Sequence, residues 1–212
     1  MEPTDASKLV GSNGSYVYTI NNKTNDNKYS FTIKPSGSGT GTRYITLTAD
    51  GFQSETHVVT QIARKTVVVF SSDFNSNNDP FTMWQNDIAS KQIENQRLRV
   101  RVTRKGAETH TAQLARDCGT NSFINGKEYY MKFTISGNNT GNAADNKIYA
   151  YLQDNNSNYR VAVNFGAIEV TNQERTVTVT GLCDGTGNYL VIHVGHFVGD
   201  IYIDNFELGY YE

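Results

Sequence analysis

Arg97-Leu98-Arg99-Val100-Arg101-Val102 alternates without exception, arginine at every odd position and an aliphatic residue at every even one. Successive side chains of an extended strand point to opposite faces, so this run puts its aliphatic residues on one face and its arginines on the other. A helix would scatter the arginines around its surface. The same two-residue period recurs toward the C-terminus in Tyr129–Ile135, Ile148–Leu152, Arg160–Val163, Thr176–Thr180, Leu190–Val194 and Ile201–Leu208. Toward the N-terminus it appears in Tyr16–Ile20, Tyr29–Ile33, Arg43–Thr48 and Thr56–Thr60, with Asn-rich and Gly/Ser-rich turns between them, notably at 35–41. Val67–Phe70 is a continuous apolar run and is read as a strand buried on both faces. Ala112–Asp117 is the one stretch open to a helical turn.

The chain is therefore all-β. The Arg64-Lys65 break divides it into two β domains, 1–64 and 65–212. Eight or more strands in the second suit one jelly-roll β-sandwich. The first has the spacing of a small Ig-like β-sandwich, short for an independent domain and without a Trp, as in an incomplete module.

Composition narrows the function. Charged residues are 19% and aromatics 11%, too few and too many for a disordered chain. A net charge of −2 gives no electrostatic footprint for nucleic acid or acidic lipid. No apolar run is long enough to span a bilayer, and no signal peptide is read at Met1. Two cysteines, Cys118 and Cys183, cannot build a cysteine-rich metal site. The Thr/Asn/Tyr-rich remainder suits a monomeric extracytoplasmic protein, secreted or at the cell surface, that meets polar neutral ligands.

Three segments of 66–212 resemble carbohydrate-binding modules of families 4 and 22, jelly rolls carried by xylanases and β-glucanases. They are Ser72-Asp73-Phe74-Asn75 followed by Trp84, Asn125-Gly126-Lys127-Glu128-Tyr129-Tyr130-Met131-Lys132-Phe133, and the closing Ile201-Tyr202-Ile203-Asp204-Asn205-Phe206-Glu207-Leu208. Asn75 and Asn205 depart from the family pattern, which has carboxylates there. The family's aromatic before the middle segment is also missing, since that region reads Glu108-Thr109-His110-Thr111-Ala112-Gln113-Leu114. Within 1–64, residues 42–61 resemble the last strands of BACON-type Ig-like domains. The resemblance implies a non-catalytic module that binds single β-1,4-glycan chains in a concave cleft and targets an appended glycoside hydrolase. Xylan and xylo-oligosaccharides come first and β-glucan second. It also implies a structural calcium ion between the opening and closing strands, held by Asp73, Asn75 and Asp204.

Neutral glycans are bound by rings stacked on their C–H faces and by side chains that bond their hydroxyls. Two strands sort their residues accordingly. Ile148, Ala150 and Leu152 share one face, and Tyr149, Tyr151 and Gln153 the other. Leu190, Ile192 and Val194 share one face, and Tyr189, Val191 and His193 the other. Gln113 lies opposite Ala112 and Leu114. The resemblance turns the polar faces toward the cleft and adds Trp84 and Tyr159 as stacking rings. The ligand-binding candidates are thus Trp84, Gln113, Tyr149, Tyr151, Gln153, Tyr159, Tyr189 and His193. Trp84 is equally readable as a core anchor, the tyrosines as a solvent-facing ladder, and His193 as a structural histidine. The arginine face reads as a solvated face partnered by acidic residues, the alternative being contact with acidic sugars. Most carboxylates sit in turns, so no glycosidase dyad emerges and no catalytic residue is assigned. Two readings remain beside the binder: a lyase-like use of Tyr189 and His193, and an adhesion module that meets protein. Cys118 and Cys183 lie in turns that the family topology brings to one end of the sandwich, which leaves a disulfide and two free thiols both open.

Overall fold

The computed structural model describes residues 9–11, 16–20, 31–35, 41–47 and 55–61 by their backbone, and residues 64–212 apart from 77, 85, 86 and 121. The chain forms two compact units, Met1–Arg64 and Lys65–Glu212. In the first, β1 (Leu9–Gly11), β4 (Gly41–Leu47) and β5 (Glu55–Gln61) form one antiparallel sheet, while β2 (Tyr16–Ile20) pairs with β3 (Phe31–Pro35). The alternation misses β1, only three residues long. Residues 29, 30 and 48 and the interior of the turn at 35–41 lie outside the described residues.

The second unit is a two-sheet β-sandwich. One sheet runs β13 (Arg160–Glu169), β12 (Lys147–Asp154), β15 (Tyr189–His193), β10 (Gln113–Asp117), β7 (Thr82–Trp84). The other runs β14 (Arg175–Leu182), β11 (Glu128–Asn139), β16 (Gly199–Tyr211), β9 (Arg97–Val102), β8 (Ala89–Glu94), with β6 (Thr66–Ser72) also paired to β16. β11 and β14 pair antiparallel from Tyr129↔Gly181 to Ile135↔Arg175, as the resemblance implied. Ala112–Asp117 is not a helical turn. Its helix-forming alanines and leucine lose to tertiary pairing, and β10 holds partners on both sides.

Leu98, Val100 and Val102 are buried, and the arginines opposite them meet carboxylates. Arg99 and Arg101 both bond Asp200, Arg99 also bonds Glu94, and Arg97 bonds Glu174 while lying over the Tyr202 ring. The guanidiniums hold the Asp200 carboxyl down at about 2, Arg101 contributing most. The arginine face is thus internally neutralised.

The register of this sheet shifts at two points, and both are bulges. Ile201 and Ile203 face the core, so an unbroken period would bury Asn205 and Glu207. Instead the register of β11 on β16 shifts opposite Asp204–Phe206, Asn205 adopts a left-handed backbone (φ 49°), and Phe206 and Leu208 turn inward. Asn tolerates this region better than most residues, which accounts for an amide there. In β6, a second shift leaves Val69 unpaired. Val68 is then 49% exposed, so the Val67–Phe70 run is not buried on both faces. The bulge keeps both Val69 and Phe70 against the core while turning Val68 out.

Phe206 is the hub of the aromatic core. Its ring stacks on Phe70 at 5.2 Å and on Phe133 at 5.5 Å, and meets Phe81 edge-on at 5.3 Å. Phe206→Ala should lower stability by about 3–5 kcal/mol, read in urea through the fluorescence of the single Trp. A loss under about 1 kcal/mol would show that the ring cluster is not structural.

Candidate functional site

The burial of Leu114, Ile192, Ala150 and Leu152 on the core side turns their neighbours outward on the five-stranded sheet. Trp84, Gln113, His193 and Tyr149 stand side by side across β7, β10, β15 and β12. The next row holds Ala115, Val191 and Tyr151, and the one after it Asp117, Tyr189 and Gln153. A cleft of about 920 Å³ crosses these rows obliquely. It starts at Trp84 and His110, passes Gln113, His193 and Tyr151, and ends at Gln153, Asn155, Tyr159 and Val161. The outer strands of a five-stranded sheet are about 20 Å apart, so the cleft is long enough for several sugar rings.

Of the eight candidate side chains, the structure brings Trp84, Gln113, Tyr151, Gln153, Tyr159 and His193 to this cleft. Two stand elsewhere. Tyr149 is in register with His193, but the oblique course runs from His193 to Tyr151 and leaves it to one side. Tyr189 backs the cleft wall: its ring packs against Trp84 at 5.1 Å and its hydroxyl donates to Asp117 Oδ2 at 3.2 Å. The small Ala115 between them on β10 gives the two rings room to meet. Trp84 is therefore not the core anchor, a place taken by Phe74, Phe123, Phe133, Phe197 and Phe206.

Met83, His110, Asn155 and Val161 also line the cleft, and no motif or period in the sequence singles them out. His110 sits on a short 3-10 turn, Thr109–Thr111, ahead of β10. Asn155 sits in the β12–β13 hairpin, where Asp154 accepts from the Asn156 N–H and the Ser157 hydroxyl. Asn158 and Tyr159 then both take left-handed backbones (φ 53° and 57°), leaving the Tyr159 ring 62% exposed at the cleft rim. Neither residue has a periodic signature, because turns place side chains by backbone geometry.

The floor is polar but neutral. No Asp, Glu, Lys or Arg is among the described lining residues. Gln113 and Gln153 are only 8% and 6% exposed. Gln113 Nε2 donates to the His110 carbonyl at 3.0 Å, and Gln153 Nε2 to Asn155 Oδ1 at 2.9 Å. The His193 ring lies 4.9 Å from Tyr151 and 5.9 Å from His110, and its Nδ1 is 3.4 Å from Thr109 Oγ1. Burial, with His110 as a lesser cause, pulls the His193 imidazole down to about 4, so it is neutral over the ordinary pH range. Burial also raises the Tyr151 phenol, which stays a hydroxyl.

The expected calcium ligands make local hydrogen bonds. Both Asp204 oxygens accept from the backbone and side-chain amides of Asn205, and Asp73 Oδ1 accepts from the Asn75 N–H. Of the three, only Asp73 borders the polar hollow between β6 and β16. Among the described residues no three His, Cys, Asp or Glu side chains group to hold one ion, so a calcium ion, which takes six to eight oxygens, would draw most of them from carbonyls. Cys118 and Cys183 are free thiols, directed at the carbonyls of Arg116 and Gly185.

The His193 shift has a thermodynamic consequence. The folded state holds this ring neutral down to about 4, whereas the unfolded chain protonates it near 6.5. Folding is therefore progressively opposed as pH falls from 6.5 to 4, by up to about 3 kcal/mol. His193→Gln should remove that part of the acid loss. Equal stability losses in both proteins between these pH values would contradict it.

No known family's sequence profile matches the chain, and no curated protein does. Solved structures do. The apo structure of BiXyn10A CBM1 is similar at TM-score 0.51 and 17% identity, covering 66% of this chain and 96% of its own. A CBM4 structure is similar at TM-score 0.51 and 15% identity, covering 62% and 94%. The chain thus contains a β-sandwich with the fold of carbohydrate-binding modules.

Proposed function

We propose that the second unit is a non-catalytic module that binds single β-1,4-linked glycan chains, xylan first and β-glucan second. It works outside the cell and targets an appended glycoside hydrolase to its polymer. The observation that carries this is the oblique cleft, with its aromatic rings, two nearly buried amides and neutral histidine in a lining without a formal charge. Rings offer flat faces to the C–H surface of a sugar, and the amides and imidazole meet its hydroxyls. A charged ligand would find no counter-charge among the described lining residues, which favours a neutral polymer. Glycosidase chemistry needs two carboxylates about 5 to 9 Å apart, and the described lining offers none. The two solved modules support the reading at the level of fold.

Titration calorimetry with xylohexaose and cellohexaose tests it. Binding should be weak, about −5 to −7 kcal/mol, because few rings stack and each bonded hydroxyl leaves water. Trp84→Ala and Tyr151→Ala should each weaken it by about 1–3 kcal/mol without lowering the melting temperature. Tyr149→Ala should change affinity little. Affinity should also be flat up to about 0.5 M salt, since no ion pair is formed. No heat with any β-glycan, or release of reducing sugar from one, would overturn the proposal.

A further inference from the structure

The nearly buried amide of Gln153 is held by a closed circuit of hydrogen bonds. The Gln153 carbonyl accepts from the Asn188 N–H at 3.0 Å. Asn188 Oδ1 accepts from the Asn155 N–H at 3.0 Å. Asn155 Oδ1 accepts from Gln153 Nε2 at 2.9 Å. Three residues on two loops and a strand end thus fix one another. Asn188 is 9% exposed and Gln153 6%, so each needs protein partners for its polar atoms. The loop before β15 can come this close because residue 187 is glycine: a Cβ there would lie 2.9 Å from the Gln153 carbonyl oxygen and 2.7 Å from Phe123.

The circuit has a polarity. The bond from Nε2 to Asn155 uses one of its two N–H donors and fixes which way the amide faces, with Oε1 on the side away from Asn155, open as an acceptor. Gln113 repeats the pattern on the other side of Tyr151. One N–H of its Nε2 bonds the His110 carbonyl, which again fixes the amide's orientation and leaves Oε1 open as an acceptor. The floor therefore offers two amides whose carbonyl oxygens are held in fixed orientations before a ligand rich in O–H donors arrives.

We infer that Asn155 is a positioning residue: it orients the Gln153 amide so that Oε1 accepts a ligand hydroxyl. The inference rests on the glycan-binding reading and adds the direction of the hydrogen bond and the residue that sets it. A freed amide can rotate and present its NH₂ to the hydroxyl, and it pays the ordering cost only on binding.

The test combines calorimetry on xylohexaose and cellohexaose with NMR of the Gln153 side-chain amide in the unliganded protein. Gln153→Met removes the acceptor and should weaken binding about tenfold. Asn155→Ala frees the amide and should cost about as much, with faster hydrogen exchange at Gln153 Nε2. Asn155→Asp keeps an oxygen for Nε2 to bond. It should stay within about threefold of wild type, with exchange still slow. An Asn155→Asp loss equal to that of Asn155→Ala would overturn the inference, because Asn155 would then act through its own NH₂ on the ligand. Unchanged exchange in Asn155→Ala would overturn the circuit. A wild-type protein that binds neither hexaose while its Gln153 amide stays protected would overturn the glycan reading and leave the circuit standing.

Discussion

The two-residue period of the five-stranded sheet is the constraint on which the rest depends. Leu114, Leu190, Ile192, Ala150 and Leu152 are fully buried between the sheets. A one-residue slip of any of these strands would put its aliphatic residues in water and its Gln, Tyr or His in the core. Burying such polar groups without partners costs about 1–3 kcal/mol each, so the register is firmly set. Because it is set, Gln113, His193 and Tyr151 must face the cleft together. The site is a by-product of the core's demand for aliphatic residues, and its precision comes from the core.

The opposite sheet shows what happens when the period conflicts with the sequence. Its arginine ladder obeys the rule and neutralises itself against Asp200, Glu94 and Glu174. In β16 the rule would bury Asn205 and Glu207, and the chain inserts one residue instead. The left-handed Asn205 lets Phe206 reach Phe70, Phe81 and Phe133. One sheet thus carries the charge ladder and the aromatic hub, while the other is free to carry a neutral cleft.

Strands with β-branched or aromatic alternation were legible in the sequence, from Arg97–Val102 through Ile148–Leu152 to Leu190–Val194. β10 was not, because Ala-Gln-Leu-Ala-Arg favours a helix until two neighbouring strands claim its backbone. In the cleft, period set Tyr151, Gln153 and His193 opposite the core-facing aliphatics, and the resemblance turned that face toward the cleft. Period also put Tyr149 there, since alternation says nothing about the direction in which a cleft crosses a sheet. Trp84 had two readings that only the ring contact with Tyr189 and its absence from the core decide. His110 and Asn155 were invisible because turns place them. Asn205 looked like a mere departure from the family's closing carboxylate and stands in a bulge that takes a left-handed residue.

The central claim is that this cleft, and not the arginine face behind it, is where a neutral glycan binds. Its most direct test is chemical-shift mapping on the isotope-labelled protein titrated with xylohexaose and cellohexaose. The account predicts that shifts concentrate at the Trp84 indole, the Gln113 and Gln153 side-chain amides, Tyr151 and His193, while Arg97, Arg99 and Arg101 stay still. Shifts centred on the arginines, or spread over neither face, would contradict it.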